Sequence, residues 1–149
     1  MEKAIRASEM AQSYFRNNKY FCAEAVLKSI LEAYDYPMRE EIVKFATGFS
    51  GGVGREGCIC GAISGGVLCL GMFFGRYNAG DPAGVKAIEL TAKLYERFTE
   101  KHKHTCCRIL TRKLEKGTPE RLNQCLSLIG EIAYETVCII EENKESRII

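Results

Sequence analysis

The chain has 149 residues, the size of one domain, and its 46% hydrophobic and 27% charged content with only 3 prolines excludes disorder, collagen-like repeats and linker-rich architecture. Twenty-one basic against 19 acidic side chains leave a formal charge of +2, which removes the electrostatic reason to expect nucleic-acid binding. Eight cysteines are too few for a disulfide scaffold of this length, yet more than a purely structural reduced protein keeps, so the thiols become the central question.

The amino-terminal stretch MEKAIRASEMAQSYFRNN carries charges throughout and lacks the apolar segment of an export signal, so a cytoplasmic location is expected. Reduced thiols there serve metal, catalytic or redox-cycling roles more readily than permanent disulfides. Residues 3–16 place Ile5, Ala7, Ala11, Tyr14 and Phe15 near one stripe and predict a first helix. Over residues 20–34, Cys22, Ala23, Val26, Leu27, Ile30, Leu31 and Tyr34 follow the i, i+3, i+4, i+7 pattern of a second. Asp35-Tyr36-Pro37 ends it, because the residue before a proline avoids the α region, and residues 38–47 are expected to form a short third helix. The loop 48–57 has five glycines in ten positions, and leads into GCICGAISGGVLCLGMFFG, residues 57–75, which carry no charge. That length approaches the roughly 20 residues of a membrane span. The neighbouring amphipathic helices need a central partner, however, so the segment is read as the buried helix of a soluble bundle and not as a span. Gly57, Gly61 and Gly65 recur every fourth residue and give it a smooth face for a close helix.

Asp81-Pro82 supplies a cap and a first helical proline for a helix over 82–103, with Ile88, Thr91, Ala92, Tyr95, Phe98 and His102 on its inner stripe. After a turn and a short segment to Lys116, Thr118-Pro119 repeats the signal. The last helix then carries Leu122, Cys125, Leu126, Ile129, Ile132, Ala133, Val137 and Ile140 on one face. No alternating strand pattern of useful length appears. The expected fold is therefore all-α, one domain over residues 1–149, a bundle of five to six helices around the glycine-rich apolar helix, with residues 141–149 as a frayed tail. A homodimer would cover whatever surface so apolar a helix leaves bare.

Cys58-Ile59-Cys60 falls at the junction of the glycine loop and the buried helix. A thiol in the first turn of a helix faces unpaired N–H groups and the positive dipole end, which lower its pKa, and Arg55 could add to that. Equally, Cys60 could be a small apolar residue at a close contact, since burial opposes ionisation. Cys-x-Cys can hold two metal ligands but is not the Cys-x-x-Cys of zinc knuckles or thioredoxin-like sites. In His102-Lys103-His104-Thr105-Cys106-Cys107 the histidines read as a basic helix C-terminus without metal, whereas the adjacent cysteines diverge, one inward and one outward. Cys22 and Cys125 lie on apolar stripes, where a packed core thiol is the ordinary explanation, and Cys69 and Cys138 are read as structural. Residues 52–57 match G-x-G-x-x-G, but no βαβ unit surrounds them, so a nucleotide site is not expected, although a backbone nest there could hold a small anion.

Four stretches carry a resemblance over nearly the whole chain: Cys22 within FCAEAVL, Cys60-Gly61-Ala62-Ile63-Ser64-Gly65 after GFSGGVGREG, Cys107-Arg108-Ile109-Leu110, and Cys125. The arrangement resembles the C_GCAxxG_C_C family, chains of similar length described as redox-active and named for four cysteines and a glycine-alanine motif. The resemblance implies that Cys22, Cys60, Cys107 and Cys125 are the functional set, beside the motif glycines Gly61 and Gly65 as a cofactor cradle, and that Cys58, Cys69, Cys106 and Cys138 are extras. The expected function is an oxidoreductase-type redox chemistry with Cys60 as the most reactive thiolate. It would run either by dithiol-disulfide cycling resolved by Cys22, Cys107 or Cys125, or through zinc or an iron–sulfur centre on the four sulfurs. That reading implies an unidentified redox partner; the rival expectation is a non-enzymatic interaction protein with structural thiols, its glycine-faced helix packing subunits together or, as the family's association with transporter loci implies, docking on a transporter.

Overall fold

The computed structural model describes residues 1–37 and 39–146. Thr118 accepts a hydrogen bond from the Arg121 N–H at 3.3 Å and Pro119 takes the first position, so helix α7 (Pro119–Glu142) begins where the cap and proline dictate. Leu126, Ile129, Ile132, Ala133, Val137 and Ile140 are buried along it, but Leu122, in its first turn, is 39% exposed. Helix α1 (Glu2–Arg16) lies along α7 with Ala4, Ala7 and Ala11 inward, small residues that let the two axes approach. Gln12 Nε2 donates to the Leu126 carbonyl at 3.0 Å, over the space left by Gly130. The buried stripe of α1 thus runs through Ala4 and not through Ile5, which is exposed.

Helix α2 (Cys22–Ala33) packs against α1, α7 and the central helix. The Glu24 carboxylate fixes its start, accepting from the Phe21 N–H at 2.8 Å and from the Thr47 hydroxyl at 2.6 Å. Helix α3 (Arg39–Val43) and a 3-10 helix, Lys44–Phe49, stand in place of one third helix, and the expected start at Met38 lies outside the described residues. Helix α4 (Gly61–Phe74) is the apolar centre, in contact with α2, α5 and α7. It starts later than residue 57, because Gly57 has φ +76° and residues 58–60 pair with another segment.

Helix α5 (Gly84–His102) follows Asp81, whose carboxylate accepts from the Ala83 N–H at 2.9 Å. Its inner stripe is Leu90, Leu94 and Phe98; Phe98 is buried as expected, whereas Ile88 is 71% and Tyr95 47% exposed. Both sets share helical spacing, and only the side on which α4 lies separates them. Helix α6 (Cys107–Leu110) is a single turn. Beyond α7 the expected tail holds a short 3-10 helix, Lys144–Ser146, and residues 147–149 lie outside the described set. Among the described residues no strand forms beyond one antiparallel bridge, Ile59 with Cys106, and no helix is long and apolar enough to cross a membrane.

Candidate functional site

The loop before α4 turns by a run of left-handed residues: φ is +69° at Gly51, +76° at Gly52, +60° at Val53, +60° at Gly54 and +66° at Arg55. Only glycine adopts such angles freely, which accounts for three of the five. The N–H groups of residues 53–58 are all taken up by backbone carbonyls of residues 48–53, so no nest of free donors is left there for an anion. The chain then runs alongside residues 105–108: Cys60 N–H donates to the Thr105 carbonyl at 2.7 Å, Cys107 N–H to the Cys58 carbonyl, and Arg108 N–H to the Gly57 carbonyl at 3.0 Å. This short ladder brings Cys107 against the start of α4.

Cys22, the first residue of α2, reaches the same place from the other side. A methyl group on Gly61 would stand 2.3 Å from its sulfur and one on Gly65 2.6 Å from the Ala23 carbonyl, so both glycines serve the approach of α2 to α4. The N–H groups of Gly51 and Ala23 point at the Cys22 sulfur, and the buried Ser50 hydroxyl stands beside it without the geometry of a regular hydrogen bond. Burial nonetheless raises the Cys22 thiol above its ordinary value, with a smaller push from Cys107.

Cys60 occupies the N-cap of α4 and is 7% exposed. Burial pushes its thiol up to about 12, with Cys22 adding to the rise; the N–H groups of Ala62 and Ile63 favour the thiolate but do not overcome the lost hydration. The helix terminus and burial thus act on the Cys60 thiol in opposite directions, and burial is the larger. Cys125, half-buried on α7, is pushed up to about 11, first by burial and then by Cys107 and Cys22, with Arg121 opposing. Cys22 and Cys107 are thus electrostatic neighbours of the other members, and the four sulfurs share one end of the bundle.

Of the remaining cysteines, Cys58 and Cys106 flank the ladder beside Cys107, and Cys69 and Cys138 lie elsewhere in the bundle. Cys58 is exposed, Cys69 is fully buried in the core with its thiol raised by burial, Cys106 is half-buried, and Cys138 sits beside Tyr134 and Glu135. His102 Nε2 meets the Glu131 carboxylate at 2.9 Å and its ring lies against Phe98, while His104, past the end of α5, is exposed. Among the described residues no group of three or more His, Cys, Asp or Glu is arranged to hold one metal ion.

Cys22, Cys107 and Cys125 open on a cleft of about 670 Å³ whose wall includes Phe15, Phe21 and the left-handed loop; Cys60 lies behind it. The cleft also carries cations that sequence reading passed over, although Arg108, Arg112, Lys116 and Arg121 lie within a few turns of two of its cysteines in sequence. A family model described as "Putative redox-active protein (C_GCAxxG_C_C)" matches residues 20–139, a span that contains all four converging cysteines. The chain belongs to the C_GCAxxG_C_C family. A protein of Archaeoglobus fulgidus named "Uncharacterized protein" is 24% identical over 151 residues, covering 96% of this chain and 97% of its own. No solved structure matches the chain. Within the C_GCAxxG_C_C match, the motif Cys60 to Gly65 supplies a buried thiol and two packing glycines, and the solvent-reachable thiols come from α2, α6 and α7.

Proposed function

We propose that Cys22, Cys60, Cys107 and Cys125 form a dithiol-disulfide centre that exchanges electrons with a disulfide entering the cleft. The observation that carries this reading is the gathering of the Cys22, Cys107 and Cys125 thiols, from three separate helices, at one cleft with Cys60 behind it, in a family described as redox-active. Cys107, on the cleft wall and next to each of the others, is the attacking sulfur. Cys22 or Cys125 resolves the mixed disulfide by attacking the Cys107 sulfur. Cys60, held protonated behind Cys22, is the inner reserve of the centre and not its nucleophile.

Disulfide mapping by mass spectrometry, in redox buffers poised from about −300 to −180 mV, tests the reading. The expected product is an internal disulfide between two of the four, formed with the helical fold intact and abolished by Cys107→Ser. If all four remain free thiols across that range, they are core filler and the protein belongs to the interaction class. Metal content of protein purified without oxygen is the second check: stoichiometric zinc or iron that disappears in Cys60→Ser would overturn dithiol cycling in favour of a metal centre.

A further inference from the structure

Among the described residues four cations outside the cleft are held by carboxylates: Lys28 by Glu40 at 2.9 Å, Lys93 by Glu142, Arg97 by Glu135 at 3.0 Å and Glu142 at 2.9 Å, and Lys101 by Glu131 at 2.7 Å. At the cleft, Arg55, Arg108, Arg112, Lys116 and Arg121 stand around three cysteines with one carboxylate, Glu56, and none of the five forms an ion pair among the described residues. Two are held in place by neutral partners. Arg108 Nη2 donates to the Glu56 carbonyl at 2.6 Å, its side chain filling the space over Gly57, and Arg121 Nη1 donates to the Leu114 carbonyl at 3.1 Å. Arg55 lies over the Phe21 ring, 5.6 Å from its centroid. Each guanidinium keeps donors free for a planar oxyanion, and a near-neutral chain concentrates its excess positive charge at one place.

We infer that the cleft selects its substrate by charge: the molecule reduced there is a small disulfide bearing carboxylates on both halves. The inference rests on the redox reading and adds the substrate class. A volume of about 670 Å³ suits a small molecule better than a protein surface. In the reaction the Cys107 sulfur, as thiolate, attacks one substrate sulfur, the substrate S–S bond breaks and the first carboxylate-bearing thiolate leaves. Cys22 or Cys125 gives up its proton and attacks the Cys107 sulfur, releasing the second. The substrate gains two electrons and becomes two thiols, the protein dithiol loses two electrons and becomes a disulfide, and the protein's two thiol protons pass to the products.

The test is single-turnover oxidation of the reduced protein by three disulfides of similar size: 3,3′-dithiodipropionate, doubly anionic; bis(2-hydroxyethyl) disulfide, neutral; and cystamine, doubly cationic. Each rate is divided by that of 2-mercaptoethanol with the same disulfide, which removes intrinsic reactivity. At low salt the anionic compound should react at least about tenfold faster than the neutral one, with cystamine slowest. The preference should collapse in 1 M salt, about where the Debye length reaches 3 Å, and in Arg108→Gln/Arg112→Gln/Arg121→Gln. Calorimetric binding of 3,3′-thiodipropionate, a thioether that cannot exchange, reads charge recognition without electron transfer and should likewise be lost in the triple variant. Exchange without charge preference, or a preference unchanged in the triple variant, overturns the inference and leaves the redox reading standing. Thioether binding without exchange overturns the redox reading and this substrate with it, leaving an anion site. Neither binding nor exchange overturns both.

Discussion

The absence of a side chain at residue 61 is what admits the Cys22 sulfur to the cluster, because a methyl group there would lie 2.3 Å away, with the Phe49 carbonyl at 3.2 Å. Gly61→Ala should therefore cost about 1–3 kcal/mol in denaturant unfolding and displace Cys22. Gly71→Ala, in the same helix with nothing within 4 Å of the added methyl, should instead stabilise by about 0.5–1 kcal/mol. Equal effects at both positions would refute the packing account. The buried thiols carry a pH signature as well. Cys60 and Cys69 have folded pKa values raised above the ordinary 9.0 by burial, so their contribution is complete below pH 9 and is lost as pH climbs toward the folded values. Each removes about 1.4 kcal/mol of stability per pH unit above 9. Thermal melts between pH 8 and 10 should show a falling Tm, and Cys69→Ala should flatten that fall. The positions of Cys22, Cys60, Cys107 and Cys125 as candidates were legible in their motifs, but their ionisation was not, since a helix terminus and a dry environment act in opposite directions and only packing decides which is larger.

Loops and helices differ in how far local rules reach. The Thr118-Pro119 and Asp81-Pro82 signals place the starts of α7 and α5 to within two residues, because capping is satisfied by neighbours in sequence. The stripe of α5 shows the limit: Ile88 and Tyr95 are as regularly spaced as Leu90 and Leu94, and periodicity cannot say toward which side the bundle lies. The glycine loop reads correctly as a backbone of unusual angles, but one of its left-handed positions is filled by a β-branched residue. Val53, at φ +60° and 44% exposed, pays a conformational cost of about 1–2 kcal/mol that glycine avoids, partly offset by glycine's greater freedom when unfolded. Val53→Gly should raise unfolding stability by about 0.5–1 kcal/mol without altering the exchange chemistry of the cysteines. A loss of stability would mean that the Val53 side chain makes contacts that outweigh its backbone.

Helix α1 lies ahead of the family match, which begins at residue 20, yet it packs more extensively on α7 than any other pair of elements pack on each other. It covers α7 through Ala4, Ala7 and Ala11 and ties Gln12 to Leu126. A chain beginning at Asn18 should therefore lose the single cooperative unfolding transition of the full chain, because a total stability of about 5–15 kcal/mol leaves little to spare when one face of the longest helix is bared. Retention of one sharp urea transition at an unchanged midpoint would show that residues 20–139 fold alone. The all-α class, the order of the main helices and the apolar centre follow from the sequence, since hydrophobic periodicity, caps and prolines act over a few residues and need no knowledge of partners; the seven helices among the described residues exceed the five to six expected because a single turn such as α6 carries no periodicity. The meeting of Cys22, Cys107 and Cys125 at a cleft rimmed by arginines, with Cys60 behind it, was decided by tertiary structure. It depends on backbone pairing between residues 57–60 and 105–108, on a helix approach measured in missing methyl groups, and on hydration lost only once the bundle has closed.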